Sequence, residues 1–522
     1  MLKSVALTRR QVMQGTVALA ASSFLPGYGL PNLAIAAATP QPATNPQPEP
    51  TGPLTQASLT VTDTVAGSIG SAFAGLSYEK SNLHELLFTA SNSDLIGLFK
   101  RLGPSVLRIG GNSVDENVWS PNGLGQTAGQ IAPSDVASLA AFVKAAGWQC
   151  LYGVNLGGAA TGATTPEMAA AEVAYAAKQF GSSLLGIEIG NECDMYGNSG
   201  SYFPGNWSLA RFLTLWGQFR TAIIARTPSV SITGPASAAN EGIWTVPFGE
   251  AVTKSEITLL TQHYYRSNGQ LPTSTAAFLI TPDTRLLAYL AILKAGARSI
   301  GVPYRMSECN SFYGGGSMGV SDSYASSLWI VDYLFNCVQG GASGVNFHGG
   351  GNWPGYTAIA DNAGTVVGVR PEFYGILLFT LGGQGTLYTT QLSAGSLNVT
   401  AYAVKTSSGG LNLIVVNKDL TQNLQLTTQL PQNASSATLL AMTQLTSGAI
   451  GPDLSATSGV TIQGASVNPD GTFSPLDPYT LNPSGSQLAC YVPALSAVLI
   501  QIVGNTSTAR PAPPTGLAAT VR

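Results

Sequence analysis

The sequence predicts an α/β fold, a (β/α)8 TIM barrel with a C-terminal β-sandwich, and three observations predict it. Between residues 71 and 381, short β-branched runs alternate with amphipathic helical windows eight times over. From 382 to 504 the helical period disappears, and alternating apolar segments are broken by Asn, Gly, Ser and Pro. The length, 522 residues, exceeds one small core and suits two domains, one of them a large barrel.

Taken in order, the chain opens with Thr8-Arg9-Arg10-Gln11-Val12-Met13, an apolar stretch over 17–25 and then Ala36-Ala37-Ala38. A charged start, a short apolar middle and a small-residue exit describe an export signal over 1–38, and the paired arginines point to the twin-arginine route. Residues 39–56, rich in Pro, Gln and Thr, read as a flexible linker, and 57–70 as a strand that joins the sandwich. The barrel strands are expected at 73–77, 106–109, 150–154, 184–189, 230–233, 258–263, 304–307 and 344–347. Between them, Ser134 is placed to cap a helix with Val136, Leu139, Ala140 and Val143 on one face, stopped by Gly147. Thr165-Pro166-Glu167 opens another, with proline at the first helical position and an acid in the first turn. Residues 505–522 form a Pro-rich tail.

Composition narrows the function. Charged residues make up 9% of the chain, where about 25% is usual, and Gly, Ser, Thr, Asn and Ala fill the gap. A net charge of −3 gives no basic footprint for nucleic acid and no polybasic membrane patch. After signal removal the protein is expected to be exported, periplasmic or extracellular, with no membrane insertion. Cys150, Cys193, Cys309, Cys337 and Cys490 show no CxxC or metal spacing and read as buried packing. The histidines, His84, His263 and His348, lack any ligand motif, so no metal and no cofactor is expected.

Barrel enzymes carry their reacting groups at the carboxyl ends of strands. Those ends hold Glu79, Arg108 with Gly110-Gly111-Asn112, Asn155, Asn191-Glu192, His263-Tyr264, Glu308 and His348. Glu192 and Glu308 stand out because apolar runs lead into each, on the fourth and seventh strands. Breaking a glycosidic bond needs one carboxylic acid to protonate the leaving oxygen and one carboxylate to attack the anomeric carbon; about 5–5.5 Å between them gives retention. Two carboxylates so near do not both ionise easily, so one should be held as the acid. Glu192 takes the acid/base role and Glu308 the nucleophile, with Tyr264 or His263 keeping it ionised and Asn191 reaching a sugar 2-hydroxyl. Glu188, inside the same strand as Glu192, reads as structural. After Glu308, Tyr313-Gly314-Gly315-Gly316 allows backbone N–H groups to converge on an anion. Trp353 and Tyr356 repeat an aromatic theme after the eighth strand.

At these residues the sequence resembles glycoside hydrolase family 79, the β-glucuronidase and heparanase-like enzymes of clan A. The resemblance lies in Leu76-Ser77-Tyr78-Glu79, in 106–112, in Ile189-Gly190-Asn191-Glu192, and above all in Ser307-Glu308 through Tyr313-Gly314-Gly315-Gly316. It implies a retaining exo-acting β-glucuronidase with Glu192 as acid/base and Glu308 as nucleophile. It further implies uronate recognition by Tyr313, Gly314 and Gly315, helped by Tyr264 and Tyr356, and sugar-hydroxyl contacts from Glu79 and Asn112. The basic residues that bind sulfated chains in heparanase-like members are not evident, since Asn112-Ser113-Val114 follows the Gly-Gly pair without a lysine. The alternatives are another β-glycoside, an internal glucuronide bond, or a non-catalytic sugar-binding surface protein.

Overall fold

The computed structural model describes residues 45–252, 254–445 and 451–504. The export signal and the Pro-rich tail expected from the sequence lie outside them. Eight parallel strands close into a barrel: Ala74–Glu79, Val106–Gly110, Gln149–Val154, Leu184–Ile189, Ile232–Ser237, Leu259–Asn268, Tyr304–Tyr313 and Val345–Gly349. They are called the first to eighth strands below. Their residues are nearly all buried because helices cover the outside and side chains fill the inside.

The sixth and seventh strands run further than the sequence suggested, to Asn268 and Tyr313, paired throughout with each other. The pairing slips once. Met306 lies opposite Gln262 and Glu308 opposite His263, so the seventh strand takes two steps where its partner takes one. This is a β-bulge at Ser307, and an inserted residue reverses which face the following side chains occupy. Arg305, before the bulge, bonds inside the barrel to Asn346 (2.5 Å). Glu308, three residues on, meets Arg108 there too; strict alternation would have turned it outward.

The helix expected to be capped by Ser134 begins two residues earlier, at Pro133, with Ala132 in the cap position. Asp135 rather than Ser134 secures its start: the Asp135 carboxylate accepts from the N–H of the cap residue Ala132 (2.9 Å) and from Gln126 N in the preceding loop (2.9 Å). At its other end Gly147 adopts the left-handed conformation (φ 74°) that ends helices. Thr165 caps the helix Pro166–Phe180 through Met168 N.

Ten further strands form one continuous mixed sheet. Leu54–Ile69 lies inside it, antiparallel to Gly385–Ser393 and parallel to Asn423–Gln429. Residues 45–56, read as a flexible linker, run along this sheet: Gln47 exchanges hydrogen bonds with the Tyr491 backbone (2.7 and 2.9 Å), and Thr480 N donates to Asn45 O. The sheet curls around its own apolar core, which includes Leu59, Leu413, Leu426, Leu439 and Ile500. Its other face packs on the barrel helices Tyr324–Gln339 and Pro371–Gly382. There Phe335 stacks on Tyr402 with ring centroids 4.2 Å apart, and Lys418 pairs with Asp332 at 2.6 Å.

Candidate active site

Beyond the fourth strand, Gly190 (φ 86°) and Asn191 lead into Glu192, whose φ of 50° lies in the left-handed region that a side chain normally avoids. Such a conformation costs roughly 1–3 kcal/mol and persists only where its surroundings impose it. Here Glu192 N donates to Ala236 O (2.8 Å) and Met195 N to Glu192 O (2.8 Å). The carboxylate Oε1 lies 3.1 Å from His263 Nδ1. The Glu192 side chain is 25% exposed and that of Glu308 8%, so Glu192 is the carboxylate with access to solvent protons. One oxygen of each, with a His263 nitrogen, falls within a cluster no wider than 4.8 Å.

Glu308 is held at both oxygens. Oε2 accepts from Arg108 Nη1 (2.7 Å) and Oε1 from the Tyr265 hydroxyl (2.8 Å). Burial alone would raise its pKa; His348, His263, Arg108 and Tyr265 together overcome that and hold it well below the usual carboxylate range. Arg108, fully buried, is the hub. Its Nε reaches Glu188 Oε2 (2.6 Å), its Nη2 reaches Asn191 Oδ1 (2.8 Å), and Nη1 also approaches Ser77 Oγ (3.3 Å). The planar fork thereby fixes the orientation of Glu308 and Asn191 at once.

Glu79 closes the site from the first strand. Its carboxylate accepts from the N–H groups of Asn112 (3.2 Å) and Ser113 (2.8 Å) and from the Ser113 hydroxyl (2.5 Å), with His348 Nε2 at 3.4 Å. Gly111 is required here. Its φ is 73°, and a Cβ on it would sit 2.3 Å from the Glu79 carboxylate. Burial opposes ionisation of Glu79, but His348 and Ser113 bring its pKa below the ordinary value. Burial likewise disfavours charge on His348, and the adjacent Glu308 and Glu79 more than compensate, raising its pKa. Asn112 Oδ1 accepts from Asn191 Nδ2 (3.3 Å), which links the two amides across the floor.

The rim carries the glycine run. Tyr313, half exposed, ends the seventh strand, and Gly314, Gly315 and Gly316 follow with φ of 78°, 85° and 91°. The loop after the eighth strand closes against them: Tyr356 N donates to Gly315 O (3.2 Å), and Trp353 stands beside Gly315. The Tyr356 ring lies 5.8 Å from that of Tyr265 and 6.0 Å from that of His348, which brings this loop to the two carboxylates.

The structure therefore gathers Glu79, Asn112, Asn191, Glu192, Glu308 and Tyr356 at one barrel mouth, with Tyr313, Gly314 and Gly315 on its edge. Tyr264 does not belong with them. It is buried on the helix side, its hydroxyl donating to Asp283 (2.8 Å) and its ring against Tyr289 and Tyr333. Alternation along a strand places His263 and Tyr265 inward and Tyr264 outward, so Tyr265 does what was expected of its neighbour. That parity was available once His263 was taken as inward. The Arg108 hub had a weaker signal, a lone cation in an apolar strand of a charge-poor chain.

Glu192, His263 and Glu308 have the spacing of a possible cation cluster, but the donor set is poorly suited to one. Both Glu308 oxygens are already engaged, one by a guanidinium whose charge would repel a metal ion.

An eight-stranded barrel, an appended sheet and paired carboxylates at the strand ends together make up the fold and its candidate site. No protein-family model matches the chain. Individual relatives point more narrowly. The chain is 23% identical over 346 residues to a β-glucuronidase of Aspergillus niger, covering 60% of this chain and 63% of that protein. It is 23% identical over 338 residues to a β-glucuronidase of Neurospora crassa, covering 57% and 59%. The chain thus spans about three fifths of the length of these relatives. Among solved structures, a 4-O-α-L-rhamnosyl-β-D-glucuronidase from Fusarium oxysporum superposes with a TM-score of 0.68 at 17% identity, over 85% of this chain and 99% of that one. A family 51 α-L-arabinofuranosidase from Bifidobacterium longum gives 0.62 at 15%, over 86% and 99%. Those two share the fold, and both curated relatives are β-glucuronidases.

Proposed function

We propose that this chain is a retaining, exo-acting β-glucuronidase that releases β-linked glucuronic acid from oligosaccharides or glycoconjugates outside the cytoplasm. The observation that carries the reading is the approach of the Glu192 and Glu308 carboxylates to within 4.8 Å. So close an approach of one oxygen from each favours the roughly 5–5.5 Å separation of retaining pairs over the roughly 6.5–9.5 Å that leaves room for a water in inversion. In the first step Glu308 attacks the anomeric carbon while Glu192 gives its proton to the departing aglycone oxygen, leaving a glycosyl ester on Glu308. In the second, water attacks the same carbon, Glu192 takes the water's proton, and Glu308 leaves as a carboxylate. Arg108, His348 and Tyr265 keep Glu308 ionised for attack. Asn191, Asn112 and Glu79 offer polar atoms for sugar hydroxyls, and Asn191 is held by Arg108 for that purpose.

The choice of glucuronic acid rests on the rim. The N–H groups of Gly314 and Gly315 make no hydrogen bond among the described residues, and Tyr313 adds a hydroxyl beside them. Left-handed backbone with free N–H groups is a cradle for an anion such as a sugar carboxylate. The β-glucuronidase relatives agree with it. A panel of nitrophenyl glycosides assayed on wild type and Glu308→Gln tests the proposal. Hydrolysis of the β-glucuronide by wild type and its loss in the variant is expected; equal activity in the two removes the mechanism.

A further inference from the structure

Among the described barrel strands, Glu188 is the one carboxylate that the reaction above does not use. It is fully buried on the fourth strand, four residues before Glu192, and its Oε2 accepts from Arg108 Nε at 2.6 Å. Its other oxygen has no hydrogen-bond partner, so its charge is directed at Arg108. Arg108 in turn donates to Glu308 at 2.7 Å through a different nitrogen. One guanidinium is thus shared between two carboxylates, only one of which reaches the barrel mouth.

We propose that Glu188 is a positioning residue that sets how tightly Arg108 holds the nucleophile, and so balances the two halves of the reaction. By competing for the same cation, Glu188 leaves Glu308 ionised yet incompletely neutralised. Without that competitor, Arg108 would grip Glu308 harder. A carboxylate held that way attacks carbon more slowly, and for the same reason it departs more readily from the glycosyl ester. The two steps should move in opposite directions, which simple loss of shape does not produce. Glu188→Gln suits the test because it keeps the side chain's size and leaves Arg108 and Glu308 as a one-to-one pair.

The inference rests on the proposed retaining mechanism, and the experiment separates the two. Wild type, Glu188→Gln and Glu188→Asp are treated with 2-deoxy-2-fluoro-β-glucuronosyl fluoride, whose fluorine slows both steps. Mass and activity loss follow ester formation, and recovery of activity after removal of excess reagent follows ester breakdown. For Glu188→Gln, formation should slow by on the order of tenfold, the scale of one pK unit at Glu308, while breakdown accelerates. Glu188→Asp keeps the charge, and its ratio of the two rates should stay near wild type. Slowing of both steps in Glu188→Gln, or a tenfold altered ratio in Glu188→Asp, overturns the inference. If Glu188→Gln does not fold, the aspartate variant decides alone. A wild-type enzyme that hydrolyses glucuronides yet gains no covalent label overturns the retaining mechanism itself.

Discussion

Replacing Tyr265 with Phe removes one hydroxyl that donates to Glu308 Oε1 at 2.8 Å and leaves the ring between Tyr356 and the barrel. A hydrogen bond to a charged group is worth about 1.5–3 kcal/mol, equivalent to roughly one to two pK units. His348, His263 and Arg108 each lower the Glu308 pKa by more than Tyr265 does, so the low end, about one unit, is expected. The sign follows from the mechanism. In the proposed mechanism Glu308 must be ionised to attack, and its native pKa lies well below the ordinary 4.5. The acid limb of kcat/KM should therefore lie at low pH in wild type and move up by about one unit in Tyr265→Phe. The control is Tyr264→Phe, one residue away and facing the helices. It loses a hydrogen bond to Asp283, which should cost about 1 kcal/mol in thermal unfolding and leave the pH profile of the folded enzyme where it was. Profiles measured on purified variants decide the matter. An acid limb that moves in Tyr264→Phe and stays in Tyr265→Phe would refute the assignment of strand faces on which the site is built.

Three further outcomes are expected. Tyr313→Phe should cost a β-glucuronide about tenfold or more in kcat/KM, the price of one hydrogen bond to an anion; parallel losses on a neutral β-glucoside would remove Tyr313 from carboxylate recognition. Burial pushes the Glu372 carboxyl up to about 8, against the opposing pull of Asn310, Arg370 and His348. Between the ordinary 4.5 and that value the unfolded chain gives up a proton that the native one retains, so stability falls as pH rises through this window. Glu372→Gln should then stabilise the protein by about 3 kcal/mol at pH 7 and by little at pH 4.5, and melting temperatures that differ equally at both would contradict it. Lys418→Met removes the partner of Asp332, a pair 2.6 Å apart beneath the curled sheet, with Lys418 2% exposed. A loss of about 3 kcal/mol is expected, visible in denaturant unfolding, with kcat unchanged in the protein that remains folded.

What the sequence disclosed and what it hid divide along a physical line. A strand covered on both faces must be an apolar run, and a reacting group at its carboxyl end interrupts that run. Glu192 and Glu308 were therefore visible as acids after Leu184-Leu185-Gly186-Ile187 and after Val302-Pro303-Tyr304. The direction in which a side chain points is another matter, because it depends on parity, and parity depends on where the pairing slips. Nothing local marks the bulge at Ser307, yet that residue alone turns Glu308 into the barrel. On the sixth strand no glycine or proline separates His263 from Asn268, so nothing in the sequence ends the strand at 263; it runs on, and Tyr265 turns inward. The Arg108 hub is hidden for a different reason. Its partners Glu188, Asn191 and Glu308 lie 80, 83 and 200 residues away, and such distant pairings follow only from closure of the barrel. The same holds for the curled sheet, whose strand Leu54–Ile69 precedes the barrel and whose partners follow it. A period in sequence reports which face of an element is apolar; it carries no information on what that face meets. In this chain the two carboxylates of the proposed reaction were legible, and the groups that orient them were not, because orientation is a property of closure.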